Sequence, residues 1–416
     1  LAQITKPITL HNRLSAFLGV SLQIIGVLFL TRLLIDTGLQ IGYPFIPQIS
    51  VGLGLTIVGF SWLIFIRSLA GLTGPIFGIL ADRYGRRNIM AASLLGQSIA
   101  AIGLTLSWQW WATAPMILFG LCLTAFLPAE QAYISDQVAY ERRGRALAFV
   151  EISFSTSGIV SLPIIGWLID AFGWRSPFFI LSLFSLLGAV LIWFQLPAVE
   201  HRSNTSLTLS DVWKVSIKPN VLAAVTMALF VFFAAGTLLT IWGIWLSADF
   251  SLKASEIGLV GIGIGFANLC GVILTGLFID RIGKRRGSLL GLFITMIAFL
   301  ILPFAQATLT TAIAVLMLIG ISIEFTIVSL IPLWSEQAPE ARATVFSLVG
   351  FGASIGIAAA SPITATLFEQ VGLWAVGAVA AVCLLIAVAL TARFLYEGET
   401  PPTEIAANHT EDLAAR

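Results

Sequence analysis

Six ionisable side chains stand in stretches of this sequence that are otherwise almost free of charge: Arg32, Asp36, Arg67, Glu130, Glu151 and Glu324. Carboxyl and guanidinium groups set together in this way can take up and release protons, or hold a charged group of a ligand. No nucleophile with a general base beside it is identifiable, so no enzyme chemistry is expected. A charge in an apolar phase costs about 3 kcal/mol on insertion scales, so the five before residue 200, if isolated, would cost about 15 kcal/mol. That rivals the stability of a whole domain, so they must face one another or a wet cavity. Summed, Arg32 and Arg67 against Asp36, Glu130 and Glu151 leave one excess negative charge, which one proton neutralises. The balance suits proton coupling, and Asp36 is its sharpest candidate. Two plainer roles stay open: Arg32 and Asp36 as a self-neutralising pair four residues apart, and Glu130 and Glu151 as hydrated groups near a mouth.

The elements that position these groups follow from the apolar runs. Only 10% of the 416 residues are charged and 58% are hydrophobic, whereas soluble domains carry roughly a quarter charged residues. A spanning helix needs roughly 20 apolar residues. Twelve spans are expected, near 17–46, 55–81, 88–107, 112–137, 145–169, 176–197, 220–248, 256–279, 288–305, 310–336, 344–368 and 373–395. The fold class is therefore an all-α polytopic membrane protein. No cleavable leader is expected, because the first apolar segment is long enough to stay in the membrane. Along span one, Arg32, Asp36, Gln40 and Tyr43 recur at helical intervals and draw one polar stripe. Glu130 precedes Asp136 by six residues and Glu151 follows Arg145 by six. Each then lies about 9 Å from the loop that joins their helices. Span seven, "ALFVFFAAGTLLTIWGIWL", is aromatic instead. Its Trp242 and Trp245 are candidates for a lipophilic or cationic ligand, alongside a lipid-facing or interfacial role.

Lys and Arg set the expected orientation. With the N-terminus inside, Lys6, Arg13, Arg83–Arg87, Arg142, Arg143, Arg145, Arg202, Lys214, Lys218, Arg281–Arg286, Arg342 and Arg393 fall on the cytoplasmic side. Only Arg175 and Lys253 fall on the other, which places both termini in the cytoplasm. The basic residues are topological, so a net charge of +1 gives no reason to expect nucleic acid. Cys122, Cys270 and Cys383 all lie in spans, and His11, His201 and His409 in loops or tails, so neither a disulfide framework nor a metal site is expected. There is no nucleotide-binding loop of the G-x4-G-K-[ST] type, and no cofactor is expected.

The chain repeats itself. "GILADRYGRR" at 78–87 returns as "GLFIDRIGKRR" at 276–286, an offset of 198 residues. At an offset of 200, Gly120, Asp136, Arg142 and Trp174 match Gly320, Glu336, Arg342 and Trp374. Two six-helix halves are expected, 1–198 and 219–396, joined by a cytoplasmic linker at 199–218 and followed by a disordered cytoplasmic tail at 397–416. Even helix counts give both halves one orientation. The G-x3-D-R-x-G-R-R loop between spans two and three, its weaker copy between spans eight and nine, and "PAEQAYISDQVAYERRGRALA" at 128–148 resemble the major facilitator superfamily. The resemblance covers the chain from about residue 14 to 396. It implies that Gly78, Asp82, Arg83, Gly85, Arg86, Arg87, Asp136, Asp280, Arg281 and Glu336 form a cytoplasmic gate. It also implies alternating access around a central site; the residues themselves make Asp36, Arg32, Arg67, Glu130 and Glu151 the expected proton-coupling set and Gln40, Tyr43, Trp242, Trp245 and Glu324 the expected substrate contacts.

Within that family "GIVSLPIIGW" at 158–167 resembles the G-x3-G-P-x2-G-G element of drug–proton antiporters, with Leu162 and Trp167 in place of two glycines. The expected function is proton-coupled export of lipophilic or amphipathic small molecules by a monomer in the plasma or inner membrane. A proton-coupled symporter, a lipid or lysolipid flippase, and a transporter-like sensor or accessory subunit are the alternatives. Cysteines introduced at 83–87, 142–145 and 281–286 are expected to react with a membrane-impermeant thiol reagent only from the cytoplasmic side. Labelling of these loops in intact cells would reverse the assigned orientation.

Overall fold

Helices make up the described backbone, with no strand among the described residues. The structure, a computed structural model, describes residues 18–197 and 216–397. Most of the expected linker at 199–218, the tail beyond 397, and Lys6, Arg13, Arg202 and Lys214 lie outside the described residues. In chain order the helices are α1 (Leu22–Gln40), α2 (Ile46–Leu53), α3 (Ile57–Leu69), α4 (Gly74–Tyr84), α5 (Arg86–Leu106), α6 (Thr113–Gln137), α7 (Tyr140–Thr156), α8 (Leu162–Phe172) and α9 (Ser176–Gln195). After the linker come α10 (Pro219–Phe250), α11 (Ala254–Ile282), α12 (Lys284–Ile301), α13 (Leu309–Ser335), α14 (Arg342–Gln370) and α15 (Leu373–Phe394). Single 3₁₀ turns join several of them, and a π-helical segment, Ser157–Ser161, joins α7 to α8.

Eleven helices are long and apolar enough to cross a membrane, twelve when the bent pair Ile46–Leu53 and Ile57–Thr73 counts as one span. The first span departs from expectation. A helix running to residue 46 was expected, but α1 stops at Gln40 and a turn over 41–45 follows. Pro44 brings no N–H to a helical ladder, and its ring crowds the carbonyl four residues back, that of Gln40, where α1 ends. Pro47 then sits in the first turn of α2, where its missing N–H is harmless. The second span is assembled from contiguous pieces: α3, the 3₁₀ turn Ala70–Thr73 and α4.

The chain divides into two compact units, Leu1–Asn204 with Leu252–Gly265, and Thr205–Ser251 with Phe266–Arg416. In the first, α5 packs on α6 and α9, and α1 on α7 and α9. In the second, α12 packs on α13 and α15, and α10 on α14 and α15. These are the same neighbours in the same order, so the sequence repeat is also a packing repeat. The chain turns between α4 and α5 at Gly85 (φ +89°), and between α11 and α12 at Gly283 (φ +91°). Both conformations are ones that side-chain-bearing residues resist. The interior of the first unit is apolar, with Ile25, Met90, Leu94, Phe126 and Ile192 buried together.

Close helix approach singles out Gly120 on α6, where an added Cβ would stand 2.1 Å from the Arg67 carbonyl oxygen. Gly78 has nothing within 4 Å of an added Cβ. Gly120→Ala is therefore expected to lower stability by about 1–3 kcal/mol, since the clash is with backbone. Gly78→Ala should leave the thermal midpoint of the purified protein unchanged. Equal midpoints for both variants would contradict this packing.

Candidate functional site

The stripe predicted on span one meets its partners on the side of α1 that faces α6 and α7. Arg32 lies mid-helix, and its three nitrogens reach three different carboxylates. Nε donates to Asp36 at 3.1 and 3.2 Å, Nη1 to Glu130 Oε2 at 2.8 Å, and Nη2 to Glu151 Oε2 at 2.9 Å. The planar fork of a guanidinium suits this division of donors. Asp36 Oδ2 also accepts from Ser153 Oγ at 2.5 Å. Glu130 has 0% side-chain exposure, and its Oε1 has no hydrogen-bond partner. Glu151 is 48% exposed, and its Oε1 accepts from Gln131 at 3.4 Å. The cluster thus has two carboxylates inside and one at its edge.

Ser and Thr hydroxyls continue this seam. Thr37 Oγ1 bonds Ser157 and Ser161 of the π-helical segment at 3.2 and 2.9 Å, and Gln40 Nε2 donates to the Phe154 carbonyl at 2.8 Å. A π-helical stretch disrupts the regular backbone ladder, and here α1 side chains anchor it. Gln40, expected to meet a substrate, is committed to this structural bond. Sequence reasoning missed Ser153, Ser157 and Ser161. The run "SFSTSGIVS" at 153–161, unusually hydroxyl-rich for a span, was the available signal.

Arg67 does not join the cluster, which corrects the expected charge balance. Its Nη1 donates to the Leu39 carbonyl at 3.2 Å, and its guanidinium lies 5.0 Å from the centroid of the Tyr43 ring. Among the described residues it pairs with no carboxylate. The cause is the break in α1: a helix that ends inside the bundle leaves carbonyls without N–H partners and a negative dipole end, and a cation answers both. Tyr43 leaves the predicted stripe for the same reason, since it lies beyond the helix end, buried beneath Arg67. One guanidinium then faces three carboxylates, so the excess is two negative charges when all are ionised, not one.

In the second unit Trp242 and Trp245 are buried, and the Trp245 indole donates to Asp249 at 2.9 Å. Glu324 on α13 is part-exposed, and an added Cβ at Gly271 of α11 would lie 2.8 Å from its own Cβ. The repeated basic loops carry acid–base pairs in both copies. Arg86 bonds Asp136 and the Ala132 carbonyl, while Asp82 lies 3.5 Å from Arg86 and is exposed. Arg87 turns to the end of α9, donating to the Leu196 carbonyl at 3.2 Å and lying 4.8 Å from the Trp193 ring centroid. Arg83 is exposed beside the Tyr84 ring. In the second copy Lys284 pairs with Glu336 and Arg285 donates to the Ala392 carbonyl, so the pattern recurs. Asp280 and Arg281 are exposed and form no hydrogen bond or ion pair among the described residues. Each acid–base pair joins two consecutive helices of one unit.

The "GIVSLPIIGW" element packs against the start of α11, within the first unit. Gly166 approaches the Ala254 carbonyl so closely that an added Cβ would stand 2.2 Å away. Leu162, where the antiporter element has glycine, lies against Gly258 and Gly261. Space lost on one helix is supplied on the other. Asp170, one turn beyond Gly166, accepts from the Ala254 and Ser255 amides at 3.3 and 2.8 Å and caps α11.

Removing the shared cation should be the most damaging single change. Arg32→Gln is expected to destabilise the purified protein by about 3–5 kcal/mol, because buried carboxylates lose their partner. Adding Glu130→Gln should recover part of that loss, a coupling that thermal unfolding of the four combinations measures. Arg67→Gln strands no carboxylate and should cost less, about 1.5–3 kcal/mol.

Known proteins resemble the chain throughout. A rat protein, "Solute carrier family 22 member 18", is 28% identical over 277 residues, 62% of this chain and 66% of that protein, just under two thirds of its length. The Bacillus subtilis "Uncharacterized MFS-type transporter YwfA" is 25% identical over 83% of this chain and 84% of its own. "Multi-drug resistance efflux pump PmrA" of Streptococcus pneumoniae is 27% identical over 64% of this chain and 69% of its own. Among solved structures, a bacterial homologue of the human lysosomal transporter Spinster superposes with a TM-score of 0.68 at 17% identity, covering 89% of this chain and 93% of that one. The human organic anion transporter MFSD10 gives 0.67 at 17% identity, covering 89% and 99%. These structures establish the fold. The sequence pattern of one family matches residues 28–247 and 224–414, and with this match over both halves the chain belongs to the Major Facilitator Superfamily of membrane transporters.

Proposed function

We propose that this transporter is a proton-coupled exporter of lipophilic or amphipathic small molecules in a cell membrane, with both termini cytoplasmic. One observation carries the coupling: a single guanidinium, Arg32, holds Asp36, Glu130 and Glu151 in one network. Three carboxylates around one cation cannot all stay charged in a buried setting without a severe electrostatic penalty. Glu151 is half-exposed, so it alone of the three reaches water. Asp36 is satisfied as a carboxylate by Arg32 and Ser153. Glu130 is enclosed and has one oxygen unpartnered, so the exchangeable proton resides there, with Glu151 as its contact with the aqueous side. This assignment moves the proton from Asp36, the sequence-based choice, to its neighbour.

Export of lipophilic compounds draws its support from the relative named as a multidrug efflux pump and from the retained glycines Gly158 and Gly166 of the antiporter-like element. Alternating access by two six-helix halves, 1–198 and 219–396, completes the reading. Glu324 then faces the substrate, and the Arg86–Asp136 and Lys284–Glu336 pairs belong to the cytoplasmic gate.

Glu130→Gln is expected to abolish gradient-driven transport of a fluorescent lipophilic dye in proteoliposomes while preserving substrate exchange, which requires no protonation cycle. Asp36→Asn should instead lower stability and diminish exchange and driven transport together, since Asp36 is a partner that Arg32 needs. Full proton-driven transport by Glu130→Gln would overturn the assignment.

A further inference from the structure

Ser153 is buried on α7 and, like Thr240 and Thr364 but unlike many hydroxyls of the spans, bonds across to another helix, in its case to a carboxylate. Thr31, Ser61, Ser93, Thr156 and Thr295 all return their hydrogen bonds to the carbonyl one turn back on their own helix. That local bond is the usual refuge of a hydroxyl in a helix. Ser153 forgoes it and donates across to Asp36 Oδ2 at 2.5 Å. Around this bond stand Arg32 and Thr37 from α1, Glu130 and Gln131 from α6, and Glu151 from α7. Only Glu130 keeps a carboxyl oxygen with no partner.

We infer that Ser153 is a positioning residue that selects which carboxyl of the cluster carries the transported proton, holding Asp36 as a carboxylate and leaving Glu130 as the site of exchange. This inference rests on the proton-coupled reading proposed above. A hydroxyl that donates has its proton committed, so the acceptor must offer a lone pair. Asp36 offers one to Ser153 and others to Arg32. Asp36 and Glu130 share a cation and lie in the same enclosed seam, so a single extra donor is enough to distinguish them. Without it the two carboxyls compete for the proton, and the coupling step loses its defined site.

Infrared difference spectra of the full-length protein in lipid, recorded between acid and alkaline buffer, test this through the protonated-carboxyl stretch. In otherwise native protein that band should vanish in Glu130→Gln and persist in Asp36→Asn. With Ser153→Ala the band should become sensitive to Asp36→Asn as well, and Ser153→Thr, which restores a donor, should return the native pattern. A structural role alone would alter stability without moving the band between residues. The inference is overturned if the native band belongs to Asp36, or if Ser153→Ala leaves the assignment to Glu130 unchanged. If Ser153→Ala does not fold, the native assignment and its retention in Ser153→Thr decide the matter: loss of either overturns the inference. Proteoliposome transport separates the two readings. Absence of proton-driven transport in the native protein refutes the coupled exporter, whereas native coupling with an unmoved band in Ser153→Ala refutes only the selecting role of Ser153.

Discussion

A guanidinium buried among three carboxylates organises the first unit. Each charge would be intolerable alone in an apolar phase, so α1, α6 and α7 must converge wherever Arg32, Glu130 and Glu151 stand in the sequence. Hydroxyls extend the convergence along α7 into the π-helical segment, where Thr37 bonds Ser157 and Ser161. Irregular backbone is tolerated at membrane depth only where protein groups satisfy it, and here Gln40 of α1 donates to the Phe154 carbonyl at its start. Charge compensation and backbone distortion are therefore one arrangement seen from two ends.

Arg67 solves the same problem by other means. The break at 41–45 leaves α1 with an unfinished carbonyl end inside the bundle, and Arg67 closes it through Leu39. A cation can be neutralised by aligned peptide dipoles as well as by a carboxylate. Tyr43, packed beneath the guanidinium, adds the attraction of an aromatic face. The two intramembrane arginines of this unit thus do unrelated work, although nothing in their residue type distinguishes them.

That difference marks where the sequence stops being legible. Spans, repeat and family could be read because hydropathy and a duplicated basic loop are properties of residues in order. The partnership of Arg32 with Asp36, Glu130 and Glu151 was also legible, because the energetic penalty on lone charges leaves few ways to place them. Arg67 was misgrouped because counting side-chain charges ignores the carbonyl end of a broken helix. Tyr43 was misplaced because the stripe was drawn past Gln40 as though the helix ran on to 46. Ser153 escaped notice because a hydroxyl in a span ordinarily satisfies itself, and its diversion to Asp36 exists only in three dimensions. In the basic loops the enclosed acid partners are Asp136 and Glu336, from the end of the following helix, while Asp82 pairs with Arg86 from an exposed position at 3.5 Å.

The recurring pairs keep one contact at two different spacings. Arg86 and Asp136 are 50 residues apart, whereas Lys284 and Glu336 are 52 apart. The offset between copies is 198 at Gly85 and Gly283 and 200 at Gly120 and Gly320. Two residues were therefore gained or lost within the stretch between those glycines, which holds the turn joining two antiparallel helices. A difference of length at the far turn leaves the register at the near ends, where the ion pair sits, intact. What the two halves share is a contact, while the spacing that encodes it differs.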